Sequence, residues 1–355
     1  MTAVILVGGP GTRLQPLTDD RPKSLVPVLN RPMMAHMIDY LKRFGIEDIV
    51  LTLSYLPDAI KQVFGDGQSY GVRIVYCVEK EPLGTAGAVK NTEEFLDGTF
   101  VVLNGDIFTD LDLADLIASH REKRAAATIS LTWVEDPSAF GVVETDDSRR
   151  VRRFIEKPPR AEATSHWINA GIYILEPEVL GHIPAGQHYM FEKGLFPGIL
   201  ERGLPVYGYP YRGYWLDMGT PEKYFEVNMD LLGTDGTRYD PKAIIDPGAA
   251  VTAPALIDSG CRIGRGARIS GPVIMGRDCR VEAGASIENT ILWDGVKIGA
   301  GVRLSHCILA SGTTVPAASE LNDMIITANR TVPFRGGHQA KSDFDTRSDY
   351  GRTSQ

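Results

Sequence analysis

From residue 1 to about 232, short β-branched and aliphatic runs alternate with amphipathic stretches, a pattern that predicts βα units around a mainly parallel sheet. Residues 3–7, 49–53, 73–77 and 100–103 are apolar or nearly so and are bounded by turn residues, as strands covered on both faces require. Residues 151–155 also read as a strand. Between the first two runs, Met34, Met37, Ile38, Leu41 and Phe44 recur on one face of a helix. Lys42 and Arg43 suit its last turn, and Gly45 its C-terminal stop. An α/β domain with a Rossmann-like, mixed but mainly parallel sheet is expected over 1–232.

A different order begins near Ile245, after the polar segment 233–238. Ile245, Val251, Ile257, Ile263, Ile269, Met275, Val281 and Ile287 recur every six residues, and after a one-residue slip Ile298 and Leu304 continue the series. No amphipathic helix has this period. Short strands that each bury one aliphatic side chain do, when stacked into a continuous core. The pattern resembles the left-handed parallel β-helix of hexapeptide-repeat proteins. The reading is therefore a linker at 233–244, a β-helix at 245–316 and an extension at 317–355 that is polar and mobile from about 336.

Composition narrows the partners. At 43% hydrophobic and 23% charged the chain is an ordinary globular one, and a net charge of −8 argues against a nucleic-acid or anionic-membrane surface. Cys77, Cys261, Cys279 and Cys307 are scattered, with no CxxC pair and no zinc-like spacing, and there is neither a signal-like start nor a spanning apolar run. A cytoplasmic setting is expected.

The segment that carries chemistry follows the first strand: GGPGTRLQPLT at 8–18, then Pro22-Lys23. Gly8, Gly9 and Gly11 let backbone N–H groups approach oxyanions, and Arg13 and Lys23 supply charge-assisted contacts to phosphate. The segment is neither a Walker loop nor a dinucleotide fingerprint, whose third glycine is replaced by Leu14. Asp106, just after the strand at 100–103, would face the ligand crevice of an open α/β sheet.

The string GGxGTRLxPLTxxxPK at 8–23 is similar to the signature of the NDP-sugar pyrophosphorylases. Further matches follow in order: EPLGTAG at 81–87, NGD at 104–106, FIEKP at 154–158, NAG at 169–171 and WLDMGTP at 215–221. With the C-terminal repeat, the resemblance covers residues 1 to about 315. It implies a GT-A-like nucleotidyltransferase domain and a single displacement at the α-phosphorus of an NTP by the phosphate oxygen of a hexose 1-phosphate. Pyrophosphate would leave, and no protein nucleophile is needed. Arg13 and Lys23 would be catalytic, with Leu6, Gly8, Gly9, Gly11, Thr12, Glu79, Gly84 and Asp106 on the nucleotide. Gly141, Glu156, Lys157, Asn169 and Gly171 would hold the sugar phosphate, and Asp106 with Asp217 would bind Mg²⁺. Gln15 stands where the family frequently has Arg, so one positive charge is missing.

Glu79 sits where thymidylyl- and uridylyltransferases often have Gln. A carboxylate accepting two hydrogen bonds matches guanine N1–H and N2–H, which favours GTP. The strings at 81–87 and 103–106 look closer to mannose-1-phosphate guanylyltransferases, making mannose 1-phosphate the leading acceptor. Glucose 1-phosphate with dTTP or UTP stays open, as does a non-catalytic subunit that senses the sugar nucleotide, although Arg13, Lys23, Asp106 and Asp217 are all present. An acyltransferase site in the repeat is disfavoured by the lack of a His/Asn cluster beyond His306; assembly into a homo-oligomer is the expected role there.

Overall fold

The computed structural model describes residues 1–233 and 236–334 and divides into two compact units. The first comprises Met1–Pro10, Pro22–Ser24 and Met34–Asp217. The second comprises Gly11–Arg21, Leu25–Met33 and the chain from Met218 onward. Neither is contiguous in sequence.

In chain order the strands to residue 217 are β1 (Thr2–Leu6), β2 (Pro27–Val28), β3 (Arg31–Pro32), β4 (Asp48–Leu53), β5 (Arg73–Val78), β6 (Phe100–Asn104), β7 (Ile107–Thr109), β8 (Ala127–Trp133), β9 (Gly141–Thr145), β10 (Val151–Glu156), β11 (Trp167–Leu175), β12 (Val206–Tyr211) and β13 (Trp215–Asp217). The helices are α1 (Met33–Arg43), α2 (Pro57–Phe64), α3 (Gly84–Lys90), α4 (Leu113–Glu122), α5 (Phe196–Glu201) and α6 (Pro221–Leu232). The apolar runs read as buried strands are β1, β4, β5 and β6, and the helix read between the first two is α1, whose end is marked by Gly45 at φ +70°.

The first unit is built on a nine-stranded mixed sheet, counted among the described residues, with the path β10-β9-β11-β6-β1-β4-β5, with β8 on β11 and with β12 on β8. β1 runs parallel to both β4 and β6, so the chain leaves β1 toward one side and later returns on the other. This reversal brings the C-terminal ends of neighbouring parallel strands together and leaves a crevice beyond them. β11 is antiparallel to β6 and β8, and its pairing with β8 shifts register between Asn169 and Tyr173. Val4, Phe100, Val102, Ile129, Tyr173 and Phe196 are among the residues of its buried core.

The second unit holds two parallel ladders. Ile245, Ile263, Val281, Ile298 and Val315 pair in one column. Val251, Ile269, Ile287, Leu304 and Leu321 form a second column, and Ile257, Met275, Leu292, Leu309 and Ile326 a third. The six-residue repeat thus resolves into three columns, each visited once per 18 residues and, after the slip, once per 17. The slip lies where Ser270 pairs with Glu288 but Val273 with Thr290. From Ile257 to Leu304 the residues of the repeat are buried together.

Two boundaries differ from expectation. Thr237–Tyr239, inside the segment read as a linker, is a strand paired with Ala255–Ile257. The repeat also does not stop near 317: Glu320–Ile326 joins the ladder on Arg303–Leu309 and turns back antiparallel into Thr331–Pro333. The first extension is polar and gives no hydrophobic period, whereas Leu321 and Ile326 of the second continue two of the columns. Residues 234 and 235 of the expected linker, and the tail expected to be mobile from 336, lie outside the described residues. Among the described residues no helix is long and apolar enough to cross a membrane.

Candidate active site

Beyond β1, the backbone carbonyl of Leu6 accepts the N–H of Gly105 at 2.9 Å, tying the end of β1 to the turn after β6. The carbonyl of Gly8 accepts the hydroxyl of Ser54. A Cβ added at Gly9 would meet no protein atom within 4 Å, so nothing in the chain itself demands glycine there. Open backbone at this point suits the approach of an oxyanion.

Glu79 follows β5 and is buried, at 9% exposure. Its Oε2 accepts the N–H of Leu83 at 3.0 Å, which shapes the turn into α3, the helix opened by Gly84. Burial raises its pKa and the Leu83 hydrogen bond works against the rise. One of its oxygens thus serves the backbone, while the other oxygen and the remaining lone pairs of the carboxylate stay available to a nucleotide base.

Asp106 lies in the turn between β6 and β7, and its Oδ2 accepts Lys23 Nζ at 2.7 Å. Both side chains are largely sheltered, with 13% exposure for Lys23 and 26% for Asp106. Asp217 ends β13, whose antiparallel register sets it opposite Ile107. Two carboxylates remote in sequence therefore occupy adjacent rungs. Among the described residues no cluster of three or more His, Cys, Asp or Glu could hold a metal, so the chain would offer a cation these two carboxylates and leave its other positions to water and substrate. That donor set fits Mg²⁺, a hard ion that keeps waters and phosphate oxygens in its shell.

Gly141 opens β9 in register with Glu156 at the end of β10. Lys157 Nζ lies 3.6 Å from Glu156 Oε1 and is 64% exposed, while the N–H of Lys157 reaches Phe140 O at 3.0 Å. Asn169 sits at the irregularity of β11. Its Nδ2 donates to the Tyr173 hydroxyl at 2.7 Å and its Oδ1 accepts the N–H of Gly171 at 3.0 Å. Asn169 thus braces the backbone before it meets any ligand.

Motif reading missed Thr85 and Glu192 as a pair. Thr85 Oγ1 accepts the N–H of Phe191 at 2.8 Å and donates to Glu192 Oε2 at 3.2 Å. Glu192 lies on a single π-helical turn, Phe191–Leu195. Its pKa is raised by burial and further by the charge of Glu156, whereas its own backbone hydrogen bond, Thr85 and Lys157 act against the rise. The structure so links Glu156, Lys157 and Glu192 electrostatically. A π turn has no signature in a 3.6-residue pattern; Thr85, inside the 81–87 string, was the one available signal.

Gly11, Thr12 and Arg13 belong to the second unit and are described within it. Gly11 has φ +67° and precedes a short 3₁₀ turn, Thr12–Leu14, on which Thr12 and Arg13 are exposed. The Thr18 hydroxyl closes the loop onto Gly11 O at 2.9 Å.

Residues 2–234 match the family model described as Nucleotidyl transferase, and residues 235–335 the one described as GMPPB C-terminal domain. The chain is 40% identical to the mannose-1-phosphate guanylyltransferase of Mycobacterium tuberculosis over 74% of this chain and 75% of that protein. It is 41% identical to a UTP–glucose-1-phosphate uridylyltransferase of Synechocystis over 66% of this chain and 64% of that one. Among solved structures, HddC from Yersinia pseudotuberculosis complexed with GMP-PN superposes with a TM-score of 0.56 at 30% identity, covering 64% of this chain and 98% of that one. A signature loop after β1, the Lys23–Asp106 pair and a match spanning the whole α/β region agree: the chain belongs to the nucleotidyl transferase family.

Proposed function

We propose that this protein transfers a guanylyl group from GTP to mannose 1-phosphate, giving GDP-mannose and pyrophosphate. The carrying observation is the Lys23–Asp106 pair at 2.7 Å, with Asp217 one rung away. A cation beside two carboxylates supports a site that neutralises phosphate charge. Likeness to mannose-1-phosphate guanylyltransferase supports the choice of substrates.

In the reaction, a phosphate oxygen of the sugar phosphate attacks the α-phosphorus, the bond from that phosphorus to the β-phosphate oxygen breaks, and pyrophosphate carries away the electron pair. Mg²⁺ bound by Asp106 and Asp217 would supply charge neutralisation on the phosphates. Lys23 exchanges its contact with Asp106 for a phosphate oxygen, and exposed Arg13 provides a second cation. Backbone N–H groups of residues 8–12 orient the triphosphate; Gly141, Glu156, Lys157, Asn169 and Gly171 position the sugar phosphate.

A second reading, glucose 1-phosphate with UTP or dTTP, draws on the likeness to the uridylyltransferase. Pyrophosphate release from GTP, UTP, dTTP, ATP and CTP, each with mannose or glucose 1-phosphate, with Mg²⁺ and with EDTA, decides between them. A metal-dependent preference for GTP with mannose 1-phosphate is expected, and Glu79→Gln should weaken it. A UTP or dTTP preference moves the protein to the second reading; silence with every pair rejects both.

The same reading takes 1–232 as catalytic domain and the later ladders as faces of a left-handed parallel β-helix of hexapeptide repeats. The three aliphatic columns support the β-helix. Its open end would serve homo-oligomer assembly in the cytoplasm.

A further inference from the structure

The signature segment that carries Arg13 and flanks Lys23 is secured by residues hundreds of positions downstream. Leu14 and Leu17 are buried at 0% and 1%, and Thr18 at 2%. Asp19, the next residue, takes a two-pronged guanidinium contact from Arg330, with Nε at 2.9 Å from Oδ2 and Nη2 on both oxygens. Arg330 is itself held in the turn before Thr331–Pro333, where its N–H reaches Thr327 Oγ1 at 3.1 Å. Two parallel contacts from a planar fork fix orientation as well as distance, which a lone ammonium does not.

A second fixed point lies two residues on. The guanidinium of Arg21 stands 4.6 Å from the ring centre of Trp293. Trp293 is 2% exposed, and its indole N–H donates to the Tyr224 hydroxyl at 2.7 Å. That hydroxyl donates to Pro27 O at 2.8 Å, and burial raises its pKa so that it stays a neutral donor. Beyond Lys23, Asn228 Oδ1 accepts the N–H of Leu29 at 2.9 Å and Asn30 Nδ2 donates to Met275 O at 2.8 Å. Within the second unit, the segments 11–21 and 25–33 are thus tied to α6 and to the ladders.

We propose that Arg330 and Trp293 are positioning residues for nucleotidyl transfer, acting through Asp19 and Arg21 to hold the loop that carries Arg13 in its working place. The proposal rests on the assignment of that cation to the triphosphate. An exposed loop of this length, left alone, would sample many conformations, and a small displacement of a catalytic cation costs far more in rate than in stability.

The test uses the full chain with Asp19→Ala, Arg330→Ala, their double variant, Arg330→Lys, Trp293→Leu and Trp293→Phe. Two readouts are taken: hydrogen exchange of residues 11–21 without substrate, and kcat and KM with GTP and mannose 1-phosphate. Arg330→Ala and Trp293→Leu should speed exchange in 11–21 and lower kcat about ten-fold, with KM for mannose 1-phosphate nearly unchanged. Arg330→Lys and Trp293→Phe should recover part of the loss, and the double variant should be no worse than either single one. Unchanged exchange, or faster exchange with unchanged kcat, overturns the proposal. If the wild-type chain turns over no substrate pair, it is the functional reading that fails, and exchange alone then upholds or refutes the brace.

Discussion

Gly9 and Gly171 are both glycines of family strings, yet the structure gives them opposite reasons to be there. Gly171 has φ +76°, and a Cβ on it would come within 2.7 Å of Asn104 Nδ2. Gly9 has no such constraint and open space around it. Gly171→Ala should therefore destabilise the fold by roughly 1–3 kcal/mol. Gly9→Ala should leave stability within about 0.5 kcal/mol while cutting kcat/KM for GTP at least about ten-fold. Thermal unfolding and pyrophosphate release on the two variants check this; a stability loss at Gly9 would remove the ligand-approach argument. At this scale the motifs made Lys23, Asp106 and Asp217 legible as residues. They could not disclose that Lys23 and Asp106 pair, nor that one oxygen of Glu79 and both polar atoms of the Asn169 amide serve the backbone and Tyr173. Those partners depend on local geometry that residue type alone does not carry.

Among the elements, the six-residue period was legible because each inward position needs an aliphatic side chain, as at Ile263, Val281 and Ile298. Outward positions carry no such demand. Register stacks Arg262 on Arg280 and Arg280 on Lys297, all exposed and with no ion pair recorded to any of the three among the described residues. Like charges on adjacent strands oppose one another by roughly 0.2–1 kcal/mol per pair. Arg280→Glu turns two repulsions into two attractions, so the urea midpoint should rise at low salt and the gain should shrink in about 1 M salt, where the Debye length is about 3 Å. A midpoint that falls, or a gain indifferent to salt, would contradict the register. Glu320–Ile326 escaped sequence reading because a single apolar residue, Leu321, stands among its first four positions before the aliphatic end. The π turn at Phe191–Leu195 escaped for want of any period at all.

For the molecule as a whole, hydrophobic pattern divided the chain near 233, and the family matches divide it at 234 and 235. The contacts do not respect that line, since Gly11–Arg21 and Leu25–Met33 cluster with the chain from Met218 onward. A hydrophobic residue announces burial but not its partner, so Leu14, Leu17 and Val26 look like any core residues in the sequence. A chain ended at residue 233 should leave them without their packing. It is expected to aggregate or to lose most nucleotidyl transfer, measured by size-exclusion chromatography and pyrophosphate release. A monodisperse, fully active 1–233 would show that the first domain is self-sufficient.

The Asp19–Arg330 pair closes across 311 positions of chain. A ribosome adding roughly 5–20 residues per second exposes Asp19 on the order of 15–60 s before Arg330 exists. For that interval the most chemically committed stretch of the protein is finished but unsupported. Catalytic competence would then wait until Arg330 has been made, and a product terminated before that residue would be an impaired enzyme.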